Sequence, residues 1–84
     1  MAKVRLAVVD DHSPVREGVI SILQRQPGIE IIGEGASAED AVRIATTAAV
    51  DVMLLDVRTP GGGIATLQKM AAASAFPKTV MLIV

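Results

Sequence analysis

The chain has 84 residues, enough for one small domain, and its eight Lys+Arg against nine Asp+Glu leave a net charge of −1, without the clustered basic charge of a generic nucleic-acid-binding surface. Cysteine is absent, which excludes disulfides and thiolate metal sites and fits the expected cytoplasmic location. Hydrophobic residues make up 51% with Phe76 as the only aromatic, so the core must be aliphatic, and no apolar run reaches the ~18 residues a membrane helix needs. Arg5, Asp10 and Asp11 break any signal-peptide pattern at the N-terminus.

The first element is a strand, Lys3 to Val9, rich in Val and Leu and ending at two acids. Val15, Val19, Ile22 and Leu23 then recur at i, i+4, i+7 and i+8, one face of a helix running to Gln26. Ser13 is expected as its N-cap and Pro14 as its first residue, with Pro27-Gly28 ending it. Ile29 to Gly33 reads as a second strand. Ser37-Ala38-Glu39-Asp40 resembles a capping box with Asp in place of Glu, and Ala38, Ala41, Val42, Ala45, Ala48 and Ala49 make a narrow helical face for close packing on a sheet. Asp51 to Val57 is continuously apolar between two acids, the pattern of a strand buried on both faces. After the Pro60-Gly61-Gly62-Gly63 loop, Ile64, Leu67, Met70 and Ala71 predict a third helical face, Pro77 closes that region, and Thr79 to Val84 is a fourth apolar strand.

The resulting βαβαβαβ order implies a parallel sheet with right-handed crossovers. Its short elements suit a flavodoxin-like, doubly wound α/β fold with strand order 2-1-3-4, residues 1–84 forming the N-terminal part of a single domain. Ligands in such folds sit beyond the carboxyl ends of the strands, where the order reverses between strands 1 and 3. Asp10 and Asp11 end the first strand and Asp56 ends the third, so all of them are expected in that crevice. Any one acid at a strand end could equally be a solvated loop residue or a cap, and Asp11 could cap the first helix through an Asx turn. Carboxylates gathered ~4 Å apart repel by about 4 kcal/mol per pair at an effective dielectric of ~20, so the cluster calls for a cation. Oxygen-only donors suit a hard ion, and Mg²⁺ takes one or two carboxylates together with phosphate and water. A carboxylate beside such a metal can act as a nucleophile and form an aspartyl-phosphate.

Val8-Val9-Asp10-Asp11-His12-Ser13-Pro14-Val15-Arg16 resembles the first strand and acidic pair of bacterial two-component response-regulator receiver domains. Asp51-Val52-Met53-Leu54-Leu55-Asp56-Val57-Arg58-Thr59-Pro60-Gly61 resembles the strand that bears their phosphoacceptor. The wording is nearest to the subfamily whose receivers precede a helix-turn-helix DNA-binding domain, and the resemblance runs from Lys3 to Val84. It implies that Asp56 takes a phosphoryl group from a sensor histidine kinase. It also implies that Asp11, Asp56 and the main-chain carbonyl of Arg58 ligate Mg²⁺, with Asp10 acting largely through metal-bound water. The Pro60-Gly61 loop would shape the site, His12 would serve the loop structure, and Arg16 and Arg58 would either be solvated or steer phosphate. A receiver of this kind is a phosphoacceptor, not an enzyme with a separate substrate, although family members assist their own phosphorylation and dephosphorylation.

Thr59 stands where the family usually has Met, and the Gly61-Gly62-Gly63-Ile64 stretch is one residue shorter than the common loop. The resemblance further implies a receiver truncated after its fourth strand, lacking the following Ser or Thr, the Lys that ends strand 5, and the last two helices. Signalling by this fragment is therefore expected to be impaired. Val80-Met81-Leu82-Ile83-Val84 would then be an open, uncharged edge, which predicts self-association or a strand-exchanged dimer. The alternative reading is a receiver fragment that acts only as a dimerisation module. DNA would be reached only through an output domain absent here, and no membrane contact is expected. A flavin carrier shares the topology, but its phosphate loop could not be Asp10-Asp11-His12-Ser13-Pro14, and no aromatic pair is present to hold the ring. A phosphatase with an Asp nucleophile usually spaces its two acids two apart, unlike the adjacent Asp10-Asp11.

Overall fold

Strands and helices alternate through a computed structural model that describes residues 3–58, 62–73, 77 and 79–83, with side chains described up to residue 77. They are β1 (Val4–Val9), α1 (Ser13–Leu23), β2 (Ile29–Gly35), α2 (Ala38–Thr47), β3 (Val52–Asp56), α3 (Gly63–Ala72) and β4 (Thr79–Ile83). The sheet order is β2-β1-β3-β4 and every pair is parallel, as the alternation predicted. Expectations placed on Thr59, Pro60, Gly61, Phe76 and Val84 lie outside the described residues.

The two faces of β1 are both closed. Ala7 and Val9 point into a cluster with Ala41 and Ile44 of α2, Val50 before β3, Met53 and Leu55 of β3, and Met70 of α3. Leu6 and Val8 alternate with them and are buried on the opposite face. Met53, Leu55 and Met70 are fully buried, each worth roughly 1.5–3 kcal/mol of removed apolar surface. β3 departs from the expected burial on both faces: Met53 and Leu55 are fully covered, while Val52 and Leu54 are only partly so. The helix on that other face, α1, meets β1 and β2 and has no fully buried residue, which leaves Val15 and Ile22 exposed.

Three local readings are corrected. The N-cap of α1 is His12, not Ser13, and it makes no side-chain cap; the loop is closed instead by the Asp10 carboxylate, as described below. The helix ends at Leu23, three residues before Gln26, with the Gln24 N–H donating to the Ile20 carbonyl. In α3 the inward residues are Gly63, Thr66 and Met70, whereas Ile64 is 63% exposed and Ala71 faces water. Thr66 can occupy a fully buried position because its hydroxyl donates to the Gly62 carbonyl at 2.7 Å, so no polar group is left unpaired. Strand β2 also runs on to Gly35, and Ser37 caps α2 as expected, accepting from the Asp40 N–H at 3.2 Å. The reciprocal bond differs: the shorter Asp40 carboxylate accepts from the Ala36 N–H at 2.8 Å. Ile44, absent from the expected alanine face, joins the core, and Ala49 is exposed.

Candidate functional site

Parallel pairing of β1 with β3 sets Val9 opposite Leu55, so the next residue on each strand, Asp10 and Asp56, emerges at the same sheet edge. Asp11 follows directly. One carboxylate oxygen from each of Asp10, Asp11 and Asp56 lies within 4.8 Å of the others. They line an open cleft of about 250 Å³ together with His12, Val15 and Arg58. The acid at the other end of β3 has a different task. Asp51 accepts from the Arg5 N–H at 2.9 Å and donates its own N–H to the Arg5 carbonyl, joining β3 to β1 at the edge opposite the cleft.

The same turn holds both strand-end acids. Asp10 Oδ1 accepts from the His12 N–H at 2.9 Å, and Asp56 Oδ1 accepts from the Arg58 N–H at 2.9 Å. Each is an Asx turn, in which a short carboxylate satisfies the backbone two residues on. The Asx turn before α1 is thus made by Asp10, not by Asp11. Asp11 is exposed, Asp10 partly buried, and Asp56 buried at 6% exposure. Burial of a carboxylate needs compensation, and Asp56 has it in the Arg58 N–H and in the Arg58 guanidinium, whose Nε stands 3.7 Å from Oδ1. That side chain is 78% exposed, so the ion pair is loose and contributes little to stability. It does place an exposed positive charge beside the cleft.

The start of α3 packs against the residue that follows Asp56. Gly62 has φ of +80°, a conformation L side chains rarely adopt, and caps α3. At Gly63 a Cβ would meet the Val57 Cα at 3.0 Å, so the backbone of the helix start lies directly on the residue after Asp56.

The donor set fits a hard cation. It is all oxygen, it includes no imidazole among its metal-capable groups, and Arg58 lines the same cleft. His12 lines the cleft and serves the turn through its N–H, in keeping with the loop role expected for it. Arg16, expected either as a solvated charge or as a residue that steers phosphate, is not a solvated charge. Its side chain is only 15% exposed, and its Nη1 donates to the Asp10 carbonyl at 2.7 Å. No signal in the sequence pointed to this contact, because the Arg16 partners lie on the β1–α1 loop and on β2.

Comparison with known proteins places this geometry. Residues 6–84 match the family model of the response regulator receiver domain. The chain is 43% identical over 82 residues to the response regulator UvrY of Escherichia coli K12, covering 96% of this chain and 38% of UvrY. It is 35% identical over 80 residues to the transcriptional regulatory protein LiaR of Bacillus subtilis, covering 94% of this chain and 38% of LiaR. The chain therefore spans 38% of the length of these curated relatives. Among solved structures, the signal receiver domain of NarL from Mycobacterium tuberculosis superposes with a TM-score of 0.85 at 32% identity, covering 98% of this chain and 66% of that one. The response regulator domain of Thermotoga maritima CheB superposes with a TM-score of 0.85 at 27% identity, covering 95% of this chain and 59% of that one.

Proposed function

The chain belongs to the response regulator receiver domain family, and from that premise we propose that it accepts a phosphoryl group on Asp56 from the phosphohistidine of a sensor kinase. The observation that carries the reading is the convergence of Asp10, Asp11 and Asp56 within 4.8 Å at one sheet edge. In the transfer, an Asp56 carboxylate oxygen forms a bond to phosphorus and the phosphorus–nitrogen bond breaks. The electron pair returns to the imidazole, which takes a proton from water, and the product is an acyl phosphate on Asp56.

Each residue of the cleft has a part in this. The Asx turn fixes Asp56 through Oδ1, which restricts its rotation and presents the second oxygen to the cleft. Asp10, Asp11, Asp56 and the Arg58 carbonyl would hold Mg²⁺, which supplies charge neutralisation for the carboxylates and the incoming phosphoryl oxygens. The Arg58 guanidinium, exposed at the cleft mouth, steers the anionic donor. Val15 gives the cleft an apolar wall beside these charges. DNA recognition, on this reading, is the task of a separate output module.

The test is treatment of the chain with a small acyl-phosphate donor and Mg²⁺, followed by intact-mass measurement. One added phosphoryl group is expected, localised to Asp56, and none on Asp56→Asn. Label retained by Asp56→Asn overturns the assignment. A second reading, self-association without phosphotransfer, draws on β4, an edge strand of the described sheet, which pairs only with β3 there. An exposed strand edge templates pairing with another chain. Light scattering that gives a dimer, together with absence of labelling, would favour that reading; a dilute monomer that labels would exclude it.

A further inference from the structure

We infer that Arg16 is a positioning residue for the acidic cleft: its guanidinium fixes the peptide that joins Asp10 to Asp11 and so directs both carboxylates toward Asp56. The inference rests on the metal-binding reading of the cleft and extends it to a residue that does not line it. An arginine on the first turns of a surface helix ordinarily extends into water. This one is 15% exposed, and its Nε is buried without a hydrogen-bond partner among the described residues. Glu34 of β2 stands 3.4 Å from that Nε, and Ser13 Oγ is 3.5 Å from Nη2. The shortest bond, at 2.7 Å, goes to the uncharged Asp10 carbonyl. A guanidinium desolvated to this extent and directed at a main-chain oxygen acts on the backbone.

Its effect follows from peptide planarity. The Asp10 carbonyl, the Asp11 nitrogen and the Asp11 Cα lie in one plane, so fixing the carbonyl fixes where the Asp11 side chain starts. The preceding peptide is already held, because the Asp10 N–H donates to the Gly35 carbonyl of β2 at 3.0 Å. Asp10 is thus anchored at its N–H by β2, at its carbonyl by α1, and at its carboxylate by the His12 N–H. Among the described residues Asp11 has no such anchor of its own, so it depends on that peptide. The planar fork of Arg16 reaches the carbonyl and Glu34 together, which a lysine could not do.

The experiment titrates Mg²⁺ into the metal-free chain by ¹⁵N NMR, comparing the unsubstituted protein with Arg16→Gln, Arg16→Lys and Asp51→Ala. Asp51→Ala removes the acceptor of the Arg5 N–H at the sheet edge opposite the cleft and serves as a destabilised control. Arg16→Gln is expected to raise the Mg²⁺ Kd about tenfold, in the range typical of groups that orient ligands, with Arg16→Lys intermediate. Before any metal is added, both Arg16 variants should move the Asp11 amide nitrogen resonance, which reports on the hydrogen bond accepted by the adjoining carbonyl. Asp51→Ala should change neither. If the unsubstituted chain binds Mg²⁺ and the Arg16 variants bind it equally well, the positioning role is overturned while the cleft reading stands. An affinity loss in Asp51→Ala equal to that in the Arg16 variants also overturns it, since destabilisation would then suffice. Should the unsubstituted chain fail to bind, the cleft reading falls and takes the inference with it. Arg16→Lys, which keeps the charge, carries the test if Arg16→Gln does not fold.

Discussion

Replacing Asp11 by Asn should make the metal-free protein more stable and the Mg²⁺-loaded protein less so. Asp11 is the cleanest member of the cluster to change. Asp10 and Asp56 each satisfy a backbone N–H, whereas Asp11 is exposed and its carboxylate has no such bond among the described residues. Its oxygen lies within 4.8 Å of the other two, so it enters two of the three repulsive pairs. At that separation each pair costs about 3.5 kcal/mol at an effective dielectric of 20 and about 0.9 kcal/mol in water. Exposure places Asp11 near the water limit, giving roughly 2 kcal/mol for both pairs, and the cations of Arg16 and Arg58 offset part of it. A net gain of about 1 kcal/mol for the metal-free variant is expected, worth a rise of roughly 4–8 °C in Tm for a domain of this size. Mg²⁺ at a hundred times Kd stabilises the unsubstituted chain by about 2.7 kcal/mol through mass action. The variant, short of one ligand, should gain far less, so the order of the two melting curves reverses between EDTA and excess Mg²⁺. Circular dichroism melts at matched ionic strength read this directly. Superimposable curves in EDTA, with equal shifts on adding Mg²⁺, would show that the carboxylates neither repel one another nor share an ion.

The close approach of α3 to Val57 gives a packing prediction: Gly63→Ala puts a Cβ 3.0 Å from a backbone atom, and chemical denaturation should show a loss of about 1–3 kcal/mol. Asp40 gives a pH prediction. The Ala36 N–H, and after it the Arg43 guanidinium, hold its carboxyl below the usual carboxylate range. A lowered folded-state value means that its contribution is complete above the unfolded-state value and is lost as the pH falls through the folded one. Acid titration of stability below the ordinary carboxylate range should therefore be shallower in Asp40→Asn, and that variant should lose about 1 kcal/mol near neutral pH as its cap weakens.

Much of this molecule is legible along the chain because its determinants are local. Apolar runs of strand length, helical periodicity, and the Pro and Gly residues between them are read within a few positions of each other, and they imply the parallel order observed. The acidic cleft is legible for a related reason. Asp10 and Asp56 each end an apolar strand, and parallel neighbours bring their carboxyl ends to one edge without further information. The α3 face is not legible in this way, because nearly every residue from Gly63 to Ala72 is small or apolar and periodicity does not choose between Ile64 and Thr66. The choice falls to the Gly62 carbonyl, which pairs the buried hydroxyl, and to the contact of Gly63 with Val57. Likewise, Arg16 is spelled like any solvated helical arginine. Its role arises only when β2 brings Glu34 and Gly35 beside the end of β1, because a guanidinium is committed by the partners within its reach, and those partners come from separate elements of the fold.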